Sequence, residues 1–363
     1  MKKLLLGSAL AALYASNSYA HGDEHYKPEI NGFGGHGDIN LIAASNYKSD
    51  FISEEYNEIS THSHADVYYN FNDNTSLNAA VQLAHIHGHH HGDANPTDDK
   101  FMQEHGIELK KFYIEHEIGK ANLYAGKIAP KFAFDYHDYP IVWAHEAAEE
   151  YAVEEKLGAG VGYQLTQNQS INFSSFFTDT TFMSDSAFYS ESSNVDEDDS
   201  GAGNTEAFNN FAVNYQINMP RLNNTLFNVG YAFQKQGRAS QDDENATTLG
   251  LKKNFNFNEN LNMDVLAEYA QELNSGGTVD RRIRYGNIGT RLNYDKAFFS
   301  TTVTKKDSNS DHHRKKYYSF AVGYEVMKDV EASIGWNAAD AKSERTESVM
   351  FTLGYKFDIC PCE

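Results

Sequence analysis

Alternation of apolar and polar residues with a period of two, repeated along nearly the whole chain, is the feature that most limits what this sequence can fold into. Near the C-terminus, Val349, Phe351, Leu353, Tyr355 and Phe357 fall on one face, and Met350, Thr352, Gly354 and Lys356 on the other. Side chains of a strand point alternately to its two sides, so such a segment has an oily face and a face that tolerates water. The pattern recurs in Phe211/Val213/Tyr215/Ile217, Phe227/Val229/Tyr231/Phe233, Leu261/Met263/Val265/Ala267/Tyr269, Tyr318/Phe320/Val322/Tyr324/Val326 and Val330/Ala332/Ile334/Trp336. About sixteen such segments begin near residues 30, 60, 76, 107, 121, 156, 169, 207, 223, 245, 260, 282, 297, 315, 329 and 345. Each approaches the ~10 residues that a tilted strand needs to cross a bilayer.

The connectors alternate as well. One set is tight, at 72–75, 118–120, 167–169, 258–260, 295–296 and 328–329. The other is longer and polar, at about 45–59, 88–106, 128–155, 179–206, 237–244, 273–281, 306–314 and 338–344. Short turns on one side and long loops on the other are the asymmetry of an outer-membrane barrel, which a soluble sandwich has no reason to adopt. Strands entering the short turns end in Tyr69 and Phe71, Tyr163, Tyr215, Phe255, Tyr294, Tyr324 and Phe357. In a closed barrel these positions line one rim as an interfacial aromatic girdle.

The N-terminus reads as a secretory signal peptide over residues 1–20. It has basic Lys2 and Lys3, an apolar run from Leu4 to Tyr14, and a small-residue cleavage site at Ser18-Tyr19-Ala20. The barrel is expected over 21–357, followed by a short periplasmic tail, 358–363, containing Cys360 and Cys362. Two cysteines in an exported chain of this length make no disulfide framework. The net charge of −21 argues against nucleic acid as a partner, since phosphates demand a basic surface.

The signal peptide, the sixteen alternating segments, the eight long connectors and the near-terminal VMFTLGYKF together resemble the Gram-negative porin family, over essentially all of the mature length. The resemblance implies an all-β, sixteen-stranded antiparallel transmembrane barrel whose third long loop folds inward to narrow a water-filled pore. It further implies a homotrimer in outer-membrane lipid and lipopolysaccharide, passing small hydrophilic solutes and ions by passive diffusion. Gly126, Pro130 and Phe132 look like the family's G-x-x-x-P-x-F lead into the constriction. The expected closing aromatic, Phe357, departs from the family pattern in being followed by six further residues.

The third loop carries Asp135, Asp138, Glu146, Glu149, Glu150, Glu154 and Glu155 against a single lysine, Lys131. Carboxylates inside a pore repel anions and concentrate cations, so Asp135, Asp138, Glu146, Glu149 and Glu150 are the expected constriction residues of a cation-preferring channel. Tyr136, Tyr139 and Trp143 are placed to pin the loop to the wall. Strand parity puts His36 and Asp38, then His62, His64 and Asp66, on the inner wall, with Asn78 and Gln82 on the third strand. Lys111 is the nearest early-strand cation, and no arginine ladder stands opposite the acidic loop. Histidines in that place would make the wall charge depend on pH near neutrality.

A second reading is an outer-membrane uptake protein that captures a metal ion or metal complex. His85-Ile86-His87-Gly88-His89-His90-His91 concentrates imidazoles, and His87, His89, His90 and His91 could gather zinc. Asp196 and Asp198 open a run that starts like a calcium loop but lacks the closing glutamate, since residue 207 is Ala. These clusters suit an adventitious divalent metal, zinc or calcium; no cofactor is otherwise expected. His145-Glu146-Ala147-Ala148-Glu149 fails as a zinc-protease motif because its last position is not histidine. No catalytic set is placed by any motif, so no enzyme is expected.

Overall fold

Sixteen strands pair in chain order into one closed antiparallel sheet: β1 (Phe33–Ser49), β2 (Asn57–Thr61 and Ser63–Asn72, interrupted at His62), β3 (Thr75–His85), β4 (His105–Ile118), β5 (Ala121–Ile128), β6 (Lys156–Thr166), β7 (Gln169–Thr178), β8 (Asn210–Met219), β9 (Thr225–Gln234), β10 (Glu244–Asn258), β11 (Leu261–Leu273), β12 (Arg282–Tyr294), β13 (Ala297–Ser308), β14 (Arg314–Met327), β15 (Val330–Ala341) and β16 (Glu344–Ile359). The computed structural model describes residues 32–50, 55–85, 99–103, 105–141, 146–187, 201–222, 224–310, 314–341 and 344–359. The signal peptide, His87, His89, His90 and His91, Asp196 and Asp198, Trp143 and the Cys360–Cys362 pair lie outside the described residues. So does the side chain of Glu146.

Closure comes from β16 against β1, in register from Gly35↔Ile359 to Ser49↔Thr346 with one irregularity near Asn46. A sheet closed on itself has no free edge, which is what a strand needs where no water can satisfy its backbone. Every strand starts within three residues of the position expected from alternation. The one correction at the end concerns the tail. Asp358 and Ile359 stay in the strand, opposite His36 and Gly35, so the barrel runs two residues past Phe357.

The pleat sorts side chains as the pattern demands. Outward positions are apolar and exposed, among them Phe351, Leu353 and Tyr355 on β16, Val322 and Tyr324 on β14, and Ile288 and Tyr294 on β12. An apolar outer belt of this extent is the surface of a barrel solvated by hydrocarbon. At the short-turn rim Tyr69, Phe71, Tyr163, Tyr294 and Tyr324 are all exposed, as the girdle requires. Inward positions are polar or small: Asn214, Asn228, Thr248, Glu268, Asn287, Ser300 and Thr302 are all buried within the lumen. Sixteen strands enclose a lumen wide enough for water unless something fills it.

Two local departures shape that lumen. β5 has only eight residues. At Gly126 φ is +141°, and a Cβ there would stand 2.3 Å from the Phe112 carbonyl, so the bend before the loop accepts glycine alone. Pro130 then stops further pairing. On β4 a bulge opposite Ala80 and Val81 leaves Lys110 without a ladder partner. The extra residue lets Lys110 share the inner side with Lys111: its Nζ lies 3.3 Å from Glu108 and 2.8 Å from Glu155.

Candidate pore constriction

The connector between β5 and β6 turns into the barrel and docks against the far wall. The Phe132 carbonyl accepts hydrogen bonds from Asn214 Nδ2 (3.2 Å), Asn228 Nδ2 (3.3 Å) and Thr248 Oγ1 (2.8 Å), one from each of β8, β9 and β10. The Phe134 amide donates to Glu268 Oε1 on β11 at 2.9 Å, and the Tyr151 hydroxyl donates to Glu268 Oε2 at 2.7 Å. Asn287 Nδ2 on β12 donates in turn to the Tyr151 oxygen at 2.8 Å. Around these bonds Phe132, Phe134, Tyr136, Tyr139 and Tyr151 pack with Ala212, Ala232, Ala246, Leu266 and Ile283 into an apolar core inside the lumen. Tyr136 and Tyr139 do pin the loop.

The loop is seated where the wall lacks side chains. A Cβ on Gly230 would lie 1.9 Å from the Phe132 carbonyl oxygen, and those of Gly250 and Gly289 would meet the Phe134 ring and Pro140. Gly230→Ala is therefore expected to lift Phe132 and break its three hydrogen bonds, costing about 2–4 kcal/mol of docking at ~1 kcal/mol each. Hydrogen exchange of the loop-3 peptides should accelerate while that of the strands does not. Unchanged exchange at Phe134 would refute this seat.

The acidic residues divide into two groups. Asp138 is almost wholly buried and pairs with Lys252 of β10 at 2.9 Å. Glu150 meets Lys306 of β13 and the Tyr285 hydroxyl of β12. Both act as attachment points whose charge a wall cation answers. Asp135 instead stays about half exposed, paired with its neighbour His137 at 2.8 Å. Glu149 ends a short helix, Glu146–Glu149, and is half-buried.

The early strands form the opposite wall. His36, Asp38, His62, His64 and Asp66 share the inner side of β1 and β2, and Lys111 faces inward beyond Ala80. His64 Nδ1 lies 2.5 Å from Asp38 Oδ1, while His36 and His64 both approach Asp66 Oδ2, at 3.7 and 3.8 Å. The loop reaches this wall: the His137 ring centroid is 5.0 Å from that of His64 and 5.9 Å from that of His62. β2 and β10 stand opposite in a ring of sixteen. His137 against β2 and Asp138 on β10 thus make the loop span the lumen from wall to wall.

Electrostatics follow from that position. Burial pushes the Asp138 carboxyl up to about 7, outweighing the pull of Lys252. Burial likewise raises Glu154 to about 7, with Lys110 opposing. Burial disfavours the His137 cation, but Asp135 more than compensates and raises it above its ordinary value. Asp135 is held well below the usual carboxylate range: its place deep in the lumen opposes its charge despite the half-open side chain, and His137 and Lys111 outweigh that cost.

The sequence reading missed Lys252, Lys306 and Glu268 as partners of the loop. Their signal was present in part, since each is a charged residue on the water-facing side of a late strand, where asparagine, serine and threonine otherwise prevail. Among the described residues no group of three or more histidine, cysteine or acidic side chains is arranged to hold a metal ion.

No protein-family model matches the chain, and no curated protein matches it in sequence. Solved structures share its fold. OprB of Pseudomonas putida superposes with a TM-score of 0.64 at 10% identity, covering 90% of this chain and 94% of that one. OmpF of Salmonella typhi, solved with daunomycin, gives 0.63 at 10% identity over 90% and 97%. An anion-selective porin from Comamonas acidovorans gives 0.55 at 9% identity over 90% and 98%. At these identities the likeness is one of fold: a closed sixteen-stranded barrel of the porin type.

Proposed function

We propose that this porin-type barrel is an outer-membrane channel for passive diffusion of small hydrophilic solutes and ions, narrowed by its third loop and mildly selective for cations. The observation that carries the reading is a polar lumen inside an apolar belt, crossed from His64 to Lys252 by a docked loop. A structural barrel would have no use for an inner wall that sets Asn214, Asn228, Thr248, Asn287, Ser300, Thr302 and paired charges among its small residues. The fold does not set the sign of selectivity, because the Comamonas acidovorans neighbour is described as anion-selective. The sign here is argued from Asp38, Asp66, Asp135, Glu149 and Glu154, set against Lys111, Lys131 and the His137 beside Asp135, after the Asp138–Lys252, Glu150–Lys306 and Glu155–Lys110 pairs are set aside. Fixed charge at a constriction is read by ions within a Debye length, ~10 Å at about 0.1 M salt.

The test is reconstitution of the folded protein in planar bilayers at about pH 8 in a potassium chloride gradient. Discrete current steps, with a reversal potential favouring potassium, are expected. Folded protein that produces no steps would reject the channel, and chloride preference would reject the assignment of the acids.

A further inference from the structure

The departure of the loop leaves a notch in the barrel wall. β5 pairs with β4 only up to Phe112↔Lys127, whereas β4 continues out to His105. The start of the fourth loop, after Thr178, fills this notch: Ala187 and Ile107 exchange both backbone hydrogen bonds, at 2.8 and 3.0 Å. At its floor lies Lys127, whose side chain is wholly buried. Its Nζ donates to the Met183 carbonyl at 2.7 Å and to Glu155 Oε2 at 3.0 Å, and lies 3.2 Å from Asp179 Oδ2. Asp179 is equally buried, and its other oxygen accepts from the Thr181 amide and hydroxyl. Its own amide donates to the Glu155 carbonyl. Glu155 holds a left-handed backbone (φ +52°) that a non-glycine residue keeps only under constraint.

One ammonium thus joins the point where the third loop leaves the wall, the point where it returns, and the foot of the next external loop. A cation removed from water needs such partners, and with Asp179 gone Lys127 would keep only Glu155 and the Met183 carbonyl. We propose that Lys127 and Asp179 are positioning residues for permeation, a latch through which the foot of the fourth loop sets where the third loop lies across the lumen. The inference rests on the channel reading above. Asp179, fully buried outside the lumen-facing rows, has no role as a charge seen by passing ions, so an effect of its loss on the current must travel through the loop.

Asp179→Asn in the full-length protein keeps the shape and removes the charge. Lys127→Met/Asp179→Asn removes cation and acid together, in case the single change folds poorly. Both are expected to replace the uniform wild-type conductance with a spread of larger levels, and to speed cleavage after Glu149, Glu150 or Glu154 by a glutamate-specific protease acting on the folded barrel. Thermal loss of strand structure should move little. Wild-type conductance with wild-type cleavage in both variants overturns the latch, as does a lowered unfolding temperature with neither change. Wild-type barrels that carry no current refute the channel reading, while the cleavage rates still decide the latch.

Discussion

Glu268→Ala should give a channel whose unitary current is larger and noisier than that of the wild type, within a barrel that still folds. Glu268 accepts from both the Phe134 amide and the Tyr151 hydroxyl, inside the packed lumen core. Alanine takes this acceptor from both donors. A buried donor left unsatisfied costs ~1–3 kcal/mol, so the loss is about 2–6 kcal/mol of docking free energy. The aromatic contacts of Phe132, Phe134 and Tyr139 remain, and they are worth ~1.5–3 kcal/mol each for full burial. Their attraction has no preferred direction. It keeps the loop inside the barrel, while Glu268 fixes where inside. The expected outcome is therefore many loop positions rather than expulsion, seen as a broad distribution of conductances. Glu268→Gln retains an oxygen for the Phe134 amide and an amide that can donate to the Tyr151 oxygen, so it should behave much like the wild type. The pair separates loop docking from a loss of lumen charge, because both variants remove the charge and only alanine removes both polar contacts at once. Equal conductance distributions for the two variants would defeat this account.

Strand positions were legible because a transmembrane barrel imposes two independent constraints on each residue. It must suit its face, and its segment must match the bilayer. The rim of Tyr69, Tyr163, Tyr294 and Tyr324, and the inward parity of His36, His62 and His64, follow from the same alternation counted in register. Simple alternation cannot put the neighbours Lys110 and Lys111 on one side, for a reason the structure supplies. The bulge at Lys110 is a property of two strands together, since an unpaired residue exists only relative to its neighbour's register. The loop was legible in composition, not in contacts. Its acids announced a charged constriction, but nothing in a linear sequence places Asp138 beside Lys252 or Glu150 beside Lys306, more than a hundred residues away. The inward glycines 230, 250 and 289 were the clearest unused signal. A water-facing position without a side chain, in a row of Asn and Thr, marks a place where something else comes close.

Acidification from about pH 8 to about pH 6 is expected to weaken cation preference and quieten the channel, with a midpoint near 7. Selectivity follows from charge. Asp138 and Glu154, both raised to about 7 by burial, take up protons in this window, and His137, raised by Asp135, carries more positive charge as the pH falls. The lumen loses up to two negative charges and gains positive charge, so the potassium-to-chloride ratio should fall. Docking follows from linkage. A carboxyl whose value in the folded protein lies above its unfolded value stabilises the fold in full below the unfolded value and ceases to as the pH rises through the folded one. For Asp138 and Glu154 that loss falls around pH 7, and the raised His137 acts in the same direction. Asp135 works the other way: its value is depressed, so its contribution persists through neutrality and disappears only in strong acid. Three groups therefore hold the loop more firmly at the acidic end, and current noise should grow toward pH 8. Asp138→Asn supplies a permanently neutral side chain at the same place. It should narrow the pH response of both selectivity and noise while leaving the loop docked. Reversal potentials and noise spectra recorded at half-unit pH steps for both proteins decide the matter, and parallel, pH-independent curves would remove Asp138 from the titration.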